Sequence, residues 1–68
     1  MIESINELSD LELRVAVLGI NGYSINGMAE CLKISRHKIQ KTIDSINNKC
    51  GKKYFAGSLL ELSRQNIV

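Results

Sequence analysis

The chain has 68 residues, 44% of them apolar and 24% charged, with a net charge of +2 and no proline. That is the length of one domain, too apolar for a disordered tail and without the run of about 20 apolar residues that a membrane span needs. A chain this short buries only about 60% of the surface its unfolded form exposes, so its core has to be compact and a partner subunit would help.

Two cysteines, Cys31 and Cys50, and one histidine, His37, fall short of the four protein ligands of a structural zinc site. The sequence leaves a disulfide between the cysteines open. The polar, acidic start MIESINELSD does not read as a secretory signal, and reduced thiols in a cytoplasmic protein are expected, both acting as small core residues. No phosphate-cradling glycine loop or paired-carboxylate motif is present. With one histidine and little room for a pocket of the usual ~300 Å³ or more, a non-enzymatic protein without cofactor or metal is expected.

Charge is unevenly spread. The first ten residues hold Glu3, Glu7 and Asp10 and no base. From Lys33 to Lys53 run Lys33, Arg36, Lys38, Lys41, Lys49, Lys52 and Lys53, with the titratable His37, against one acid, Asp44. Such a cluster is either a solvated helix face or a surface that meets phosphate, and charge alone does not choose between them.

Turn signals divide the chain into four helical segments. The first opens at Ser9 or Asp10 as N-cap, with Glu12 placed to complete a capping box and Leu8 placed as a staple. Leu11, Val15 and Leu18 form its apolar stripe, and Asn21-Gly22 stops it. The second runs from Ser24 to about Lys33, with Ile25, Met28, Ala29 and Leu32 on one face. Gly27 within it weakens the helix by about 1 kcal/mol relative to alanine. The third starts after Ser35. Ile39, Ile43, Ile46 and Cys50 repeat at helical spacing on one side, while His37, Gln40, Lys41, Asp44 and Asn48 fall on the other. Gly51 ends it, and Lys49, Lys52 and Lys53 gather where cations suit the helix dipole. The fourth, Tyr54 to Ser63, carries Phe55, Leu59, Leu60 and Leu62. The reading is an all-α single domain over 1–68, its core at 8–63, with 1–7 and 64–68 as flexible ends.

The connection between the second and third helices bears on function. Ala29 is small where two helices would cross closely, Ile34 is apolar in the turn, and Ile39 anchors the inner side of the next helix. That is what a helix-turn-helix requires if the outer side is to enter a major groove. An ordinary helical bundle could use the same spacing for packing.

Leu8-Ser9-x-x-Glu12, Val15, Gly22-Tyr23-Ser24, Met28-Ala29-x-x-Leu32-x-Ile34-Ser35, Ile39, Ile46 and Lys49-Cys50-Gly51 together resemble the LuxR/GerE-type helix-turn-helix over about residues 8–62. The resemblance implies a four-helix bacterial transcription regulator that reads duplex DNA with its third helix, about 36–50, and dimerises through its fourth. The chain departs from the family pattern at Gly27 (usually Glu), Lys38-Ile39 (Thr-Val), Thr42 (often His), Cys50 (Leu), Lys52 (Val) and Phe55 (Arg).

By that resemblance Arg36, His37, Lys38, Gln40, Lys41 and Asp44 lie at base edges and flanking phosphates. Thr42, Ser45 and Lys49 follow the phosphates along the helix, and Ser24 meets one at the start of the second helix. Asp44 would accept from cytosine N4, pair with Lys41 or Lys38, or simply be repelled by the DNA backbone. Tyr54, Phe55, Leu59, Leu60 and Leu62 form the expected homodimer face. A chain of this length holds no sensor domain; if complete, as a start at Met1 suggests, its regulation would come through abundance, a partner or dimerisation. The alternative is an interaction module that pairs with another transcription regulator and titrates it without touching DNA, which the unusual Gly27, Thr42 and Phe55 would suit.

Overall fold

The computed structural model describes residues 8–66. Of the expected flexible ends, 1–7 and 67–68 lie outside the described residues. The described chain is all-helical, with four helices and no strand: α1 Asp10–Ile20, α2 Ile25–Leu32, α3 Arg36–Cys50 and α4 Phe55–Arg64. Arg64, expected in the frayed tail, closes α4, so the last helix extends one residue past the reading.

Three of the four helices begin on a serine whose side chain takes up an otherwise orphaned backbone N–H. Ser9 accepts from the Glu12 N–H at 3.1 Å while Glu12 accepts from the Ser9 N–H at 2.7 Å, a complete capping box. Ser24 accepts from Gly27 at 3.0 Å and Ser35 from Lys38 at 3.1 Å. Tyr54, ahead of α4, makes no such bond. That helix depends on its packing instead, aided by a 2.6 Å bond from the Ser58 hydroxyl to the Asn47 carboxamide on α3.

The turns follow from backbone conformation. Gly51 ends α3 in the left-handed region at φ 68°. Lys33 ends α2 in the same region at φ 59°, where a side chain costs roughly 1–2 kcal/mol. Glycine would remove that cost and give back part of it as unfolded-chain entropy. Lys33→Gly is expected to raise stability by about 0.5–1 kcal/mol, read as a higher urea midpoint with an unchanged slope.

Helix α3 is the centre of the fold, packed by α1, α2 and α4, and α4 also touches α1. Val15, Ala16, Met28, Ile39, Ile43, Ile46, Cys50 and Leu62 form the core, with Leu8 at its edge as the staple residue. Gly19 marks the closest approach of α1 and α4: a Cβ there would stand 2.7 Å from the Phe55 ring and 3.0 Å from a Leu59 methyl.

Two expectations change here. Leu62, expected on a dimer face, is fully buried, because its position on α4 points toward the inner side of α3. Cys31, expected in the core, is exposed, whereas Cys50 is buried, and neither is in a disulfide. Burial also pushes the Cys50 thiol up from its ordinary range, against a lowering hydrogen bond with Ser58. A disulfide-exchange reagent should therefore titrate one thiol in the native protein and two in denaturant; two native thiols would mean that the Cys50 site opens readily.

No helix among the described residues is long and apolar enough to cross a membrane.

A candidate nucleic-acid interface on the third helix

With Ile39, Ile43, Ile46 and Cys50 committed to the core, the opposite side of α3 is left to water. Arg36, His37, Lys38, Gln40, Lys41, Asp44 and Asn48 are all exposed. Seen down the helix, His37, Lys41, Asp44 and Asn48 form the outermost row. Arg36, Gln40 and Asn47 turn toward α2 and the start of α4; Lys38, Thr42, Ser45 and Lys49 turn toward α1. Six sequence-expected residues, Arg36, His37, Lys38, Gln40, Lys41 and Asp44, thus share one continuous surface, and Ser24 joins it. Ser24, Asn26, Arg36, His37 and Gln40 line one concavity between the start of α2 and the first turns of α3.

Local bonds orient several of these groups. The Arg36 guanidinium donates to the Asn26 carboxamide oxygen at 3.2 Å, which ties α3 to α2 and steers a cation along that edge. The Gln40 amide donates to the Asp44 carboxylate at 3.2 Å, so Asp44 is joined to Gln40 rather than to the lysines that sequence suggested.

On the α1 side the groups turn inward. Glu12, only 5% exposed, accepts from the Ser45 hydroxyl at 2.5 Å and the Lys49 ammonium at 2.6 Å, besides its capping bond. Burial alone would raise the Glu12 carboxyl. The bonds from Lys49, Ser45 and the Ser9 N–H, with the Lys49 charge, outweigh that and bring it down to about 2. Thr42 is buried, its hydroxyl donating to the Lys38 carbonyl at 2.8 Å. Thr42, Ser45 and Lys49, expected along phosphates, therefore belong to the seam between α1 and α3. Their neighbours Lys38 and Lys41 form the outer lip of that seam and line a shallow hollow with Ser9 and Leu11.

The expected dimer residues separate. Leu60, at 61% exposure, stands free on the outer side of α4, while Phe55 and Leu59 are half-buried against α1. Tyr54, at 76% exposure, lines a cleft with Tyr23, Gln40, Asp44, Asn47 and Lys53, on the α3 side of the molecule. Lys53 belongs to the basic stretch that the sequence offered as a phosphate-facing surface, and Tyr23 to the Gly22-Tyr23-Ser24 element; sequence did not bring the two together at one cleft. Both fall in turns that flank α2 and α3. An apolar hollow between α1 and α2, lined by Leu13, Val17, Leu18, Cys31 and Leu32, lies apart from all of these.

No protein-family model matches the chain, and neither a curated protein nor a solved structure matches it significantly.

Proposed function

We propose that the protein is a small helix-turn-helix DNA-binding domain of the LuxR/GerE type, acting in transcription, with α3 in the major groove of duplex DNA. The observation that carries this reading is the outer face of α3. Its outermost row is polar and accessible, and cations flank it on both sides, Arg36 toward α2 and Lys38 with Lys41 toward α1. A helix lying in a major groove has base edges in front of it and a sugar–phosphate strand on either side, so it needs that distribution. His37, Gln40 and Asp44 would face bases; Arg36, Lys38, Lys41 and Ser24 would hold the backbone.

The test is a titration of the ¹⁵N-labelled protein with a short duplex. Amide shifts should concentrate in residues 36–44 and around Ser24, with little change at Leu60 or in the α1–α2 hollow. Shifts confined to those latter regions would contradict the reading.

A second copy on the outer side of α4, where Ala56, Leu60 and Ser63 are exposed in one stripe, would pair two recognition helices on a two-fold site. Leu60→Lys should then abolish dimerisation in sedimentation while leaving helicity intact; an unchanged sedimentation coefficient would remove Leu60 from the interface. The same stripe would also suit a protein that pairs with another regulator, and a folded domain that ignores duplex DNA at low salt would favour that role.

A further inference from the structure

We propose that the cleft bounded by Tyr23, Lys53 and Tyr54 is a second half of the DNA site: its outer lip holds one sugar–phosphate strand, and Asp44, exposed on its α3 edge, faces a base. This inference rests on the major-groove reading of α3 and extends it to residues outside that helix.

Three observations lead to it. The cleft is continuous with the outer face of α3, because Gln40 and Asp44 belong to both. Its rim carries hydrogen-bond donors of the kind a phosphodiester accepts: the Lys53 ammonium and the hydroxyls of Tyr23 and Tyr54. Both tyrosines are well exposed, at 46% and 76%, and the Lys53 side chain makes no ion pair or hydrogen bond among the described residues. The cleft also lies on the flank of α3 opposite Lys38 and Lys41, on the side toward which Arg36 turns. A duplex seated on Lys38 and Lys41 by one strand brings its other strand to this flank.

The acid on the α3 edge of the cleft fixes what sits where. Asp44 repels a phosphate, so the backbone stays at the rim with Lys53. Asp44 accepts only, so what it can welcome is an amino group on a base edge, cytosine N4 or adenine N6. Gln40, bonded to it, holds the carboxylate in position.

The cleft makes predictions separable from those of α3, measured by anisotropy of labelled duplex across a range of salt. Lys53→Gln should lower affinity equally for all duplex sequences and reduce the slope of log affinity against log salt by about one. Tyr54→Phe should weaken binding a few-fold with the slope unchanged, since a neutral donor releases no counterion. Arg14→Gln, which removes a cation from α1 on the far side of the fold, should leave both affinity and slope as they are. Wild-type binding that is salt-dependent but unaffected by Lys53→Gln and Tyr54→Phe would overturn this inference and leave the α3 reading standing. Absence of salt-dependent binding by the wild-type chain would overturn both.

Discussion

Glu12→Ala should cost about 3 kcal/mol of folding stability, the largest effect expected from any single charged residue in the protein. Glu12 is the shared acceptor of three donors, the Ser9 N–H at the cap of α1 and the Ser45 hydroxyl and Lys49 ammonium on α3. Removing it takes away the acceptor these donors share at the α1–α3 seam and deletes half of the capping box. A domain of 68 residues has roughly 3–10 kcal/mol in total, so the variant should lose between a third and all of it and unfold at a much lower urea concentration. Circular dichroism against urea checks this; a midpoint within error of wild type would mean that the cluster contributes nothing. Glu12→Gln keeps an acceptor for Ser9 but removes the carboxylate charge beside Lys49, and should fall between the two.

The same carboxylate makes stability depend on acid. Its pKa is lowered from 4.5 to about 2 in the folded protein. A depressed folded-state value means that the unfolded chain binds the proton more readily. The contribution is therefore fully present above about pH 4.5 and is lost as pH falls toward 2. Its size is at most about 3 kcal/mol, at 1.36 kcal/mol per unit. The urea midpoint of wild type should fall across that window by more than that of Glu12→Gln; parallel curves would assign the acid sensitivity elsewhere.

The second large effect is on DNA. Replacing Arg36, Lys38 and Lys41 together by glutamine should abolish measurable duplex binding at moderate salt. Each phosphate contact contributes about 0.9 to the salt slope, so losing three lowers affinity on the order of several hundredfold near 0.1 M salt. All three side chains are exposed, so thermal stability should barely change. Persistent binding by the triple variant would mean that α3 is not the contact surface.

Much of the fold was legible because it is written in local signals. Ser9, Ser24 and Ser35 each stand just ahead of an apolar repeat, and each is the cap of its helix. The stripe Ile39, Ile43, Ile46 and Cys50 is the buried side of α3, since a 15-residue helix cannot bury that stripe without exposing its opposite. What escaped the sequence depends on pairs distant along the chain. Glu12 reads locally as a capping residue, and nothing in its neighbourhood announces Lys49, 37 positions on. Ser45 and Lys49 look like an exposed polar edge until α1 is laid against them. Leu62 and Leu60 are equally apolar in sequence. The angle of α4 against α3 decides that one is core and the other free, and that angle is set by the glycine gap at Gly19 and by the Ser58–Asn47 bond. Tyr54 likewise begins α4 but faces the side of Gln40 and Lys53, because the chain turns at Gly51 before the helix starts.

The measurement that bears most directly on the account is the affinity of the purified, folded chain for a labelled random-sequence duplex at a series of salt concentrations. The account predicts binding at low salt that weakens linearly on logarithmic axes, with a slope that corresponds to several neutralised phosphates. A folded, helical sample that leaves duplex anisotropy unchanged even at low salt would contradict it.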